Sequence, residues 1–591
     1  MCVIPNIRVQ FIFLKVKSNI LNPMSNEEIV ALLELTVKLL ELHDENEFKI
    51  KNLSFAARAL DKETADLMAL SVEQLAGLQS VGKSVAGKID EIRRTGTSQE
   101  LTELLAKTPE GVLEMLQIKG IGPKKVRAIW QELGITDNRE LMLACENGEV
   151  AKLKGFGDKI QATIKESILY AQSNSGKLRM EKGEELAQIL FDVLEKQFEQ
   201  VEIVGDIRRK NEIVHSIQLV VGHSKPWEVQ QFLNAIPDLQ QDEKSSSPFA
   251  WRGNFLEKEI PVEIQVCSPQ QFVNQVFIYS SAEKHLATNG IYKQLSKQVF
   301  ELEEDIYSSL NIPYIIPEMR EGNFEFEWSK THQIEELVTW DSLKGILHNH
   351  STYSDGRHTL EEMADYCREL GFEYLGIADH SKTASYAKGL SEERIWEQHA
   401  EIEKLNQKYA AMTDRRSVGR PFKILKGIES DILGDGSLDY ADDVLKSFDY
   451  IVASIHQNLK MNQEKAMSRI IGAIENPYTT ILGHPTGRIL LSRAGYPIDY
   501  QKVIDACAAN GVIIEINASP YRLDLDWRWI QYALEKNVML SINPDAHEME
   551  GYFDMHYGVA VARKGGLLAN MTFNALGLGE MEQYLNKRIN R

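Results

Sequence analysis

Histidine and acidic residues recur where apolar runs end in the carboxy-terminal half of the chain. The run "LKGILHNH" (343–350) closes on His348 and His350, and Asp355 follows in an "SDG" turn. "YLGIADH" (374–380) closes on Asp379 and His380, "FKILKGIE" (422–429) on Glu429, "DYIVASIH" (449–456) on His456 and "YTTILGH" (478–484) on His484. "GVIIEIN" (511–517) ends at Asn517, and "NVMLSINPDAH" (537–547) at Asp545 and His547. A single histidine at a strand end is more often a hydrogen-bonded rim residue than a ligand. Nine such side chains at successive run ends read instead as the donor set of a metal centre. His348 and His350, two apart on an extended run, project to one side and can share an ion. Imidazoles with a few carboxylates suit Zn²⁺, Mn²⁺ or Fe²⁺ better than Mg²⁺ or Ca²⁺.

Helix-patterned stretches such as "TLEEMADYCRELG" and "YQKVIDACAANG" separate these runs. Alternation of apolar runs and helices predicts a parallel sheet or barrel, whose carboxyl strand ends form the active face. Arg488, just past His484, and Arg522 could each neutralise a phosphate or simply shape the barrel mouth through a salt bridge. Asp379 is expected to orient His380. Cys367 and Cys507 read as packing residues.

At 591 residues the chain needs several cores. The five cysteines are scattered, which suits a reducing, cytoplasmic setting and argues against disulfides. No apolar run reaches the ~20 residues of a membrane helix. The net charge of −20 argues against holding nucleic acid by bulk electrostatics, but leaves room for local contacts. Residues 1–23 are expected to be a disordered or mis-started tail, since "VQFIFL" is too short for a signal peptide. From Met24, Ser25 and Glu28 form a capping box that opens a helix.

Residues 24–175 read as helices joined by glycine turns. "LQSVGKSVAGKI" (78–89), "LQIKGIGPKKVRAI" (116–129) and "LKGFGDKIQATI" (153–164) repeat one pattern. A glycine turn that opens a helix exposes backbone N–H groups and the positive dipole end, which together hold a phosphate. Three copies favour DNA binding through Gly82, Lys83, Gly120, Gly122, Lys124, Gly155, Gly157 and Lys159 over plain helix-capping glycines.

These turns resemble helix-hairpin-helix motifs, and "NEFKIKNLSFAARAL" (46–60) resembles the amino-terminal helical domain of bacterial family X DNA polymerases. The His-x-His pair, the "SDG" turn, Glu429, His456, His484 and Asp545-x-His547 resemble the PHP (polymerase and histidinol phosphatase) domain that adjoins those polymerases. The resemblance covers essentially 24–591. It implies a multidomain chain: an α-helical helix-hairpin-helix region, an α/β nucleotidyltransferase-like palm and thumb, and a distorted (β/α)7 PHP barrel. Boundaries are expected at 24–96 and 97–177 for the two helical domains, 178–270 for the palm, 271–335 for a thumb and 336–591 for the barrel. The resemblance also implies three divalent ions. His348, His350, Glu429 and Asp545 would hold one, Glu429, His456 and His484 a second, and Asp355, His380 and His547 a third. A hydroxide bound at the Glu429/Asp545 cluster would attack the phosphorus, with Arg488 assisting.

The palm departs from its family. In "VEIVGDIRRKNEIVHSIQLVV" (201–221), Gly205, Arg208 and Arg209 match the G-S-x-R-R signature, but Asp206 replaces its serine. The two metal-binding aspartates fall on Ser216 and Gln218, and the third on Glu263. Nucleotidyl transfer needs carboxylates to hold two Mg²⁺ ions, so polymerase activity is expected to be absent. A regrouped palm site of Asp206, Glu212 and Glu263 is the weaker alternative.

The leading expectation is therefore a monomeric, nucleoid-associated bacterial repair protein acting on gapped or nicked duplex DNA at 3′ ends. It would be a metal-dependent 3′→5′ exonuclease, with abasic-site cleavage and 3′-phosphate removal in the same class. The alternatives are a histidinol-phosphatase-like enzyme for small molecules and a non-catalytic DNA-repair scaffold.

Overall fold

The computed structural model describes residues 24–589 apart from Thr64, Gln117, Lys119, 256–259 and 412–421. The expected tail, 1–23, lies outside the described residues. The chain divides after Ser175 into two units.

The first unit is helical. Its first helix, Asn26–Leu42, starts at the predicted capping box: Glu28 N donates to Ser25 Oγ at 3.2 Å and Ser25 N to Glu28 Oε2 at 2.9 Å. Its buried face, including Ile29, Leu32, Leu33 and Leu39, seeds a core that also takes Ile89, Val126, Ile129 and Ile164. Those last four belong to helices Lys83–Thr95, Pro123–Leu133 and Asp158–Ser173, one behind each glycine turn. Core packing thus fixes the turns from beneath.

The second unit holds two larger sheets. The palm sheet comprises β1 (Gln200–Val204), β2 (Ile217–Gly222), β3 (Leu239–Gln241), β4 (Ala250–Phe255) and β5 (Ile260–Cys267). Its order is β1-β2-β5-β4-β3, with only β2 and β5 parallel. The other sheet is β6 (Gly345–Ile346), β7 (Tyr374–Ile377), β8 (Lys423–Asp431), β9 (Tyr450–Ser454), β10 (Ile481–Leu482), β11 (Ile513–Asn517) and β12 (Leu540–Asn543). All neighbours are parallel and in chain order, and a bridge between Asn349 and Ala546 joins the two ends into a nearly closed barrel. His350 N donates to Ala546 O at 2.8 Å in that closure.

All seven expected runs form strands, but β6 and β10 are only two residues long. His348 and His350 therefore lie beyond the end of β6 and not two apart along it, yet they still share a donor group with Asp545 as expected. His348 leaves extended geometry at φ 57°, and Asp545 (φ 55°) and His484 (φ 22°) do likewise. Such conformations cost about 1–3 kcal/mol each and persist where the surroundings over-determine them. The three bent residues turn their side chains toward one centre.

Palm and barrel are bolted together within this unit. The fully buried Lys564 donates to Arg209 O at 3.0 Å, Glu318 O at 3.2 Å and Glu321 Oε1 at 2.5 Å. Glu212 accepts from Trp527 Nε1 at 3.2 Å and Arg528 Nη1 at 2.8 Å.

Candidate functional site

Glu429, at the carboxyl end of β8, is the hub of the barrel mouth. Its Oε1 lies 3.2 Å from His348 Nε2, 3.1 Å from His456 Nε2 and 3.0 Å from His484 Nε2, and its Oε2 lies 2.9 Å from His380 Nδ1. His350 Nε2 sits 3.0 Å from Asp545 Oδ1, and Asp355 Oδ1 lies 3.7 Å from His380 Nε2 and 3.4 Å from His547 Nε2. All nine expected ligands converge. Their donor atoms form three groups, each within 4.8 Å: His350, Asp355, His380 and His547; His348, His350 and Asp545; and His380, Glu429 and His456. The grouping differs from the one the resemblance implies, because His350 and His380 each belong to two groups and His484 reaches the centre through Glu429 alone.

The donor atoms fit divalent cations. His348 Nε2, His380 Nδ1 and Glu429 Oε2 are buried, and although His348 and His380 lie within 3.2 Å of the Glu429 carboxylate, these three atoms find no well-directed hydrogen bond among the described residues. Buried polar atoms without well-directed partners are costly, so such a cluster favours a cation at its centre. The charges agree. Burial pushes the Glu429 carboxyl up, but His456, His348 and His380 outweigh it and hold it well below the carboxylate range. Burial lowers His456, yet Glu429 and Asp431 raise it to about 10. His348 is likewise raised against its burial, by Glu515, Glu429 and Asp545. The acids thus draw protons onto His348 and His456, while burial keeps His350 and His484 toward the neutral form, and a bound cation would take the place of those protons.

Two supporting carboxylates escape sequence reasoning. Glu515 Oε2 lies 2.6 Å from His348 Nδ1, while its Oε1 accepts from His484 N at 3.0 Å. Asp431 Oδ1 lies 2.5 Å from His456 Nδ1. Each fixes a ring so that the opposite nitrogen faces the centre, as carboxylates behind metal-binding histidines do. Glu515→Gln and Asp431→Asn are expected to weaken metal affinity about 10- to 100-fold, read by competition with a chromogenic chelator. Unchanged affinity in both would refute this role.

Two expectations need correction. Asp379 does not orient His380; it accepts from Ser351 N at 2.8 Å, Ser351 Oγ at 2.6 Å and Gln398 Nε2 at 2.6 Å, and so pins the turn carrying Asp355. Arg488 is not free for catalysis, because its Nε donates to Arg522 O at 2.9 Å, its Nη1 to Asp526 Oδ2 at 3.1 Å and its Nη2 to Leu523 O. Arg522 is the arginine at the mouth, its Nε 3.6 Å from Asp545 Oδ2. Cys367 and Cys507 are buried packing residues, as expected.

Comparison with known proteins gives this geometry a lineage. Residues 347–519 match the PHP domain family, 24–98 a helix-hairpin-helix domain and 112–168 a SAM-like helix-hairpin-helix tandem. The chain is 33% identical over 587 residues to the DNA polymerase/3′-5′ exonuclease PolX of Bacillus subtilis (strain 168), covering 95% of this chain and 100% of that one. The chain belongs to the PolX family. The chain is also 30% identical over 176 residues to a probable phosphatase of Thermoanaerobacter sp. (strain X514), covering 28% of this chain and 69% of the relative. A probable phosphatase of Clostridium novyi (strain NT) is 27% identical over 180 residues, covering 30% and 65%.

The helix-hairpin-helix turns of this PolX chain are open to solvent. Gly82 and Gly122 cap their helices without any side-chain hydrogen bond, and a Cβ on Gly82, Gly122, Gly155 or Gly157 would meet nothing within 4 Å. Gly120 and Gly155 hold φ of 91° and 84°, a region that favours glycine. Ser80 takes the equivalent place in the first turn at φ 63°.

In the PolX palm, Gln218 and Glu263 pair across β2 and β5. Gln218 Nε2 donates to Glu263 Oε2 at 3.1 Å, while Arg252 Nη2 and Gln265 Nε2 both donate to Glu263 Oε1 at 2.6 Å. Asp206 is taken by Arg209 and Asn211, each at 2.8 Å, and by His215 N at 3.0 Å. With Glu212 turned to Trp527 and Arg528, Asp206, Glu212 and Glu263 have three separate sets of partners, and no metal-ligand group joins them among the described residues.

Proposed function

We propose that this PolX chain is a metal-dependent DNA phosphodiesterase that removes nucleotides from 3′ ends of gapped or nicked duplexes and has no polymerase activity. Abasic-site cleavage and 3′-phosphate removal belong to the same reaction class. The convergence of nine ligand-type side chains with Glu429 at their hub, several of their buried atoms lacking a well-directed hydrogen bond, carries this reading. Divalent ions held there, three by the family pattern, would lower the pKa of an attacking water and neutralise charge on the phosphoryl oxygens. Glu429 and Asp545 supply the negative charge that holds the ions, and Glu515 and Asp431 orient the rings. Arg522 stands where a guanidinium can hold a non-bridging phosphate oxygen. Digestion of a 3′-labelled duplex tests the reading, with release of label expected from wild type and none from His348→Ala.

The two helical domains (24–96 and 97–177) would grip DNA through backbone N–H groups, with the palm (178–270) and thumb (271–335) as a platform and the barrel (336–591) as the cutter. A monomer in the bacterial cytoplasm suffices for this work. Replacing Lys83, Lys124 and Lys159 by alanine is expected to weaken duplex binding and to flatten its salt dependence, by roughly 0.9 in log–log slope for each phosphate no longer neutralised. Fluorescence anisotropy across a salt series reads this, and an unchanged slope would remove those lysines from the interface.

The likeness to probable phosphatases favours a second reading, hydrolysis of a small phosphomonoester such as histidinol phosphate. It leaves the helix-hairpin-helix unit without a task. Turnover on histidinol phosphate against a short oligonucleotide separates the two, and the nuclease reading expects the oligonucleotide to win.

A further inference from the structure

A tyrosine at the barrel mouth faces the metal-ligand cluster rather than the core. Tyr386 sits on a short 3₁₀ turn, Ser385–Ala387, in the loop that follows His380. Its neighbours Ala384 and Ala387 are buried, yet Tyr386 is 47% exposed. Its ring centre lies 6.0 Å from that of His380, inside the cluster, with the planes inclined at 59°.

Hydrogen bonds anchor the loop that carries it. Thr383 Oγ1 donates to Asp431 Oδ2 at 2.7 Å and Thr383 N to Asp439 Oδ2 at 2.7 Å. Tyr440 OH accepts from Lys382 N at 3.0 Å and donates to Leu390 O at 2.6 Å, tying both ends of the loop to one side chain. Arg394 Nη1 donates to Lys388 O at 3.0 Å. Asp431 is also the carboxylate behind His456, so the loop and the ligand shell share an anchor. A half-exposed aromatic ring on an anchored loop beside the proposed phosphodiesterase centre is what a nucleobase stacks on.

We infer that Tyr386 is a positioning residue whose ring stacks on the base of the 3′-terminal nucleotide and so sets the last phosphodiester over the metal cluster. This rests on the proposed nuclease function but is tested apart from it. The probe is a gapped duplex with 2-aminopurine at the 3′ terminus and a phosphorothioate at the last linkage to slow cleavage, added to full-length, Mn²⁺-loaded protein. Fluorescence of the terminal base is expected to be quenched by wild type and by Tyr386→Phe, which keeps the ring, but not by Tyr386→Ala. With unlabelled duplexes competing against this probe, wild type is expected to prefer a base-bearing end over a tetrahydrofuran end by roughly 5- to 150-fold, and Tyr386→Ala to lose that preference. Equal quenching in Tyr386→Ala, no quenching in wild type, or a preference that survives the alanine each overturns the inference. Wild type that quenches the probe but leaves an ordinary 3′ linkage uncut would refute the nuclease function and leave the stacking role standing.

Discussion

Glu429→Gln is expected to lower release of 3′-terminal nucleotides by at least about 10²- to 10³-fold, the scale seen when one electrostatic partner of a transition state is removed. One carboxylate touches four imidazoles, at 3.2 Å (His348), 2.9 Å (His380), 3.1 Å (His456) and 3.0 Å (His484). Glutamine keeps the shape but not the charge, and its amide NH₂ would point a donor at nitrogens that must stay free to ligate. Ion occupancy and water activation should therefore fail together. The residue is buried at the end of β8, among apolar barrel strands, so the variant is expected to fold and to show a far-ultraviolet circular dichroism spectrum like that of wild type. A folded Glu429→Gln protein with near wild-type digestion would contradict the role assigned to this carboxylate.

Primer extension is expected to stay at background at saturating Mg²⁺ or Mn²⁺, which for a polymerase reaction is the loss of essentially the whole effect. Ser216 and Gln218 bring no charge where two hard cations would have to be held. The one acid left on those strands, Glu263, already accepts from Gln218, Arg252 and Gln265. A cation arriving there would have to displace an arginine and two amides at once. Asp206, in the place of the signature serine, is closed by Arg209, Asn211 and His215. Robust template-directed extension by purified protein would overturn the expectation.

Much of the site is legible in the sequence because metal ligands are chemically rare residue types at chain positions a barrel must bring together. His348, His380, Glu429, His456, His484 and Asp545 each close a run, and the nearly closed seven-stranded barrel carries all of them to one mouth. Direction is what the sequence hides. Glu515 sits inside the apolar run of β11, where an acid reads as an interruption; its signal is the two-residue alternation that puts it on the same side as Asn517, which donates to it at 3.0 Å. Asp431 stands two residues beyond Glu429 by the same rule. Arg488 misleads because nearness in sequence to His484 says nothing about where a guanidinium turns, and here it turns back to the Arg522 and Leu523 carbonyls. The bends at His348, His484 and Asp545 carry no sequence mark at all, since left-handed geometry at non-glycine residues is imposed by surroundings that a single chain does not display.

If the imidazoles and acids at the barrel mouth hold cations in order to cut DNA, cutting must follow the cations. This is measured by digestion of a gapped duplex labelled at the 3′ end, using protein first stripped with chelator and then given Mn²⁺, Zn²⁺, Fe²⁺ or Co²⁺ in turn. No release of label is expected from the stripped protein, and stepwise 3′→5′ shortening is expected once at least one of these ions is restored. Label that stays intact with every ion would contradict the metal-nuclease assignment, as would undiminished cutting by the stripped protein.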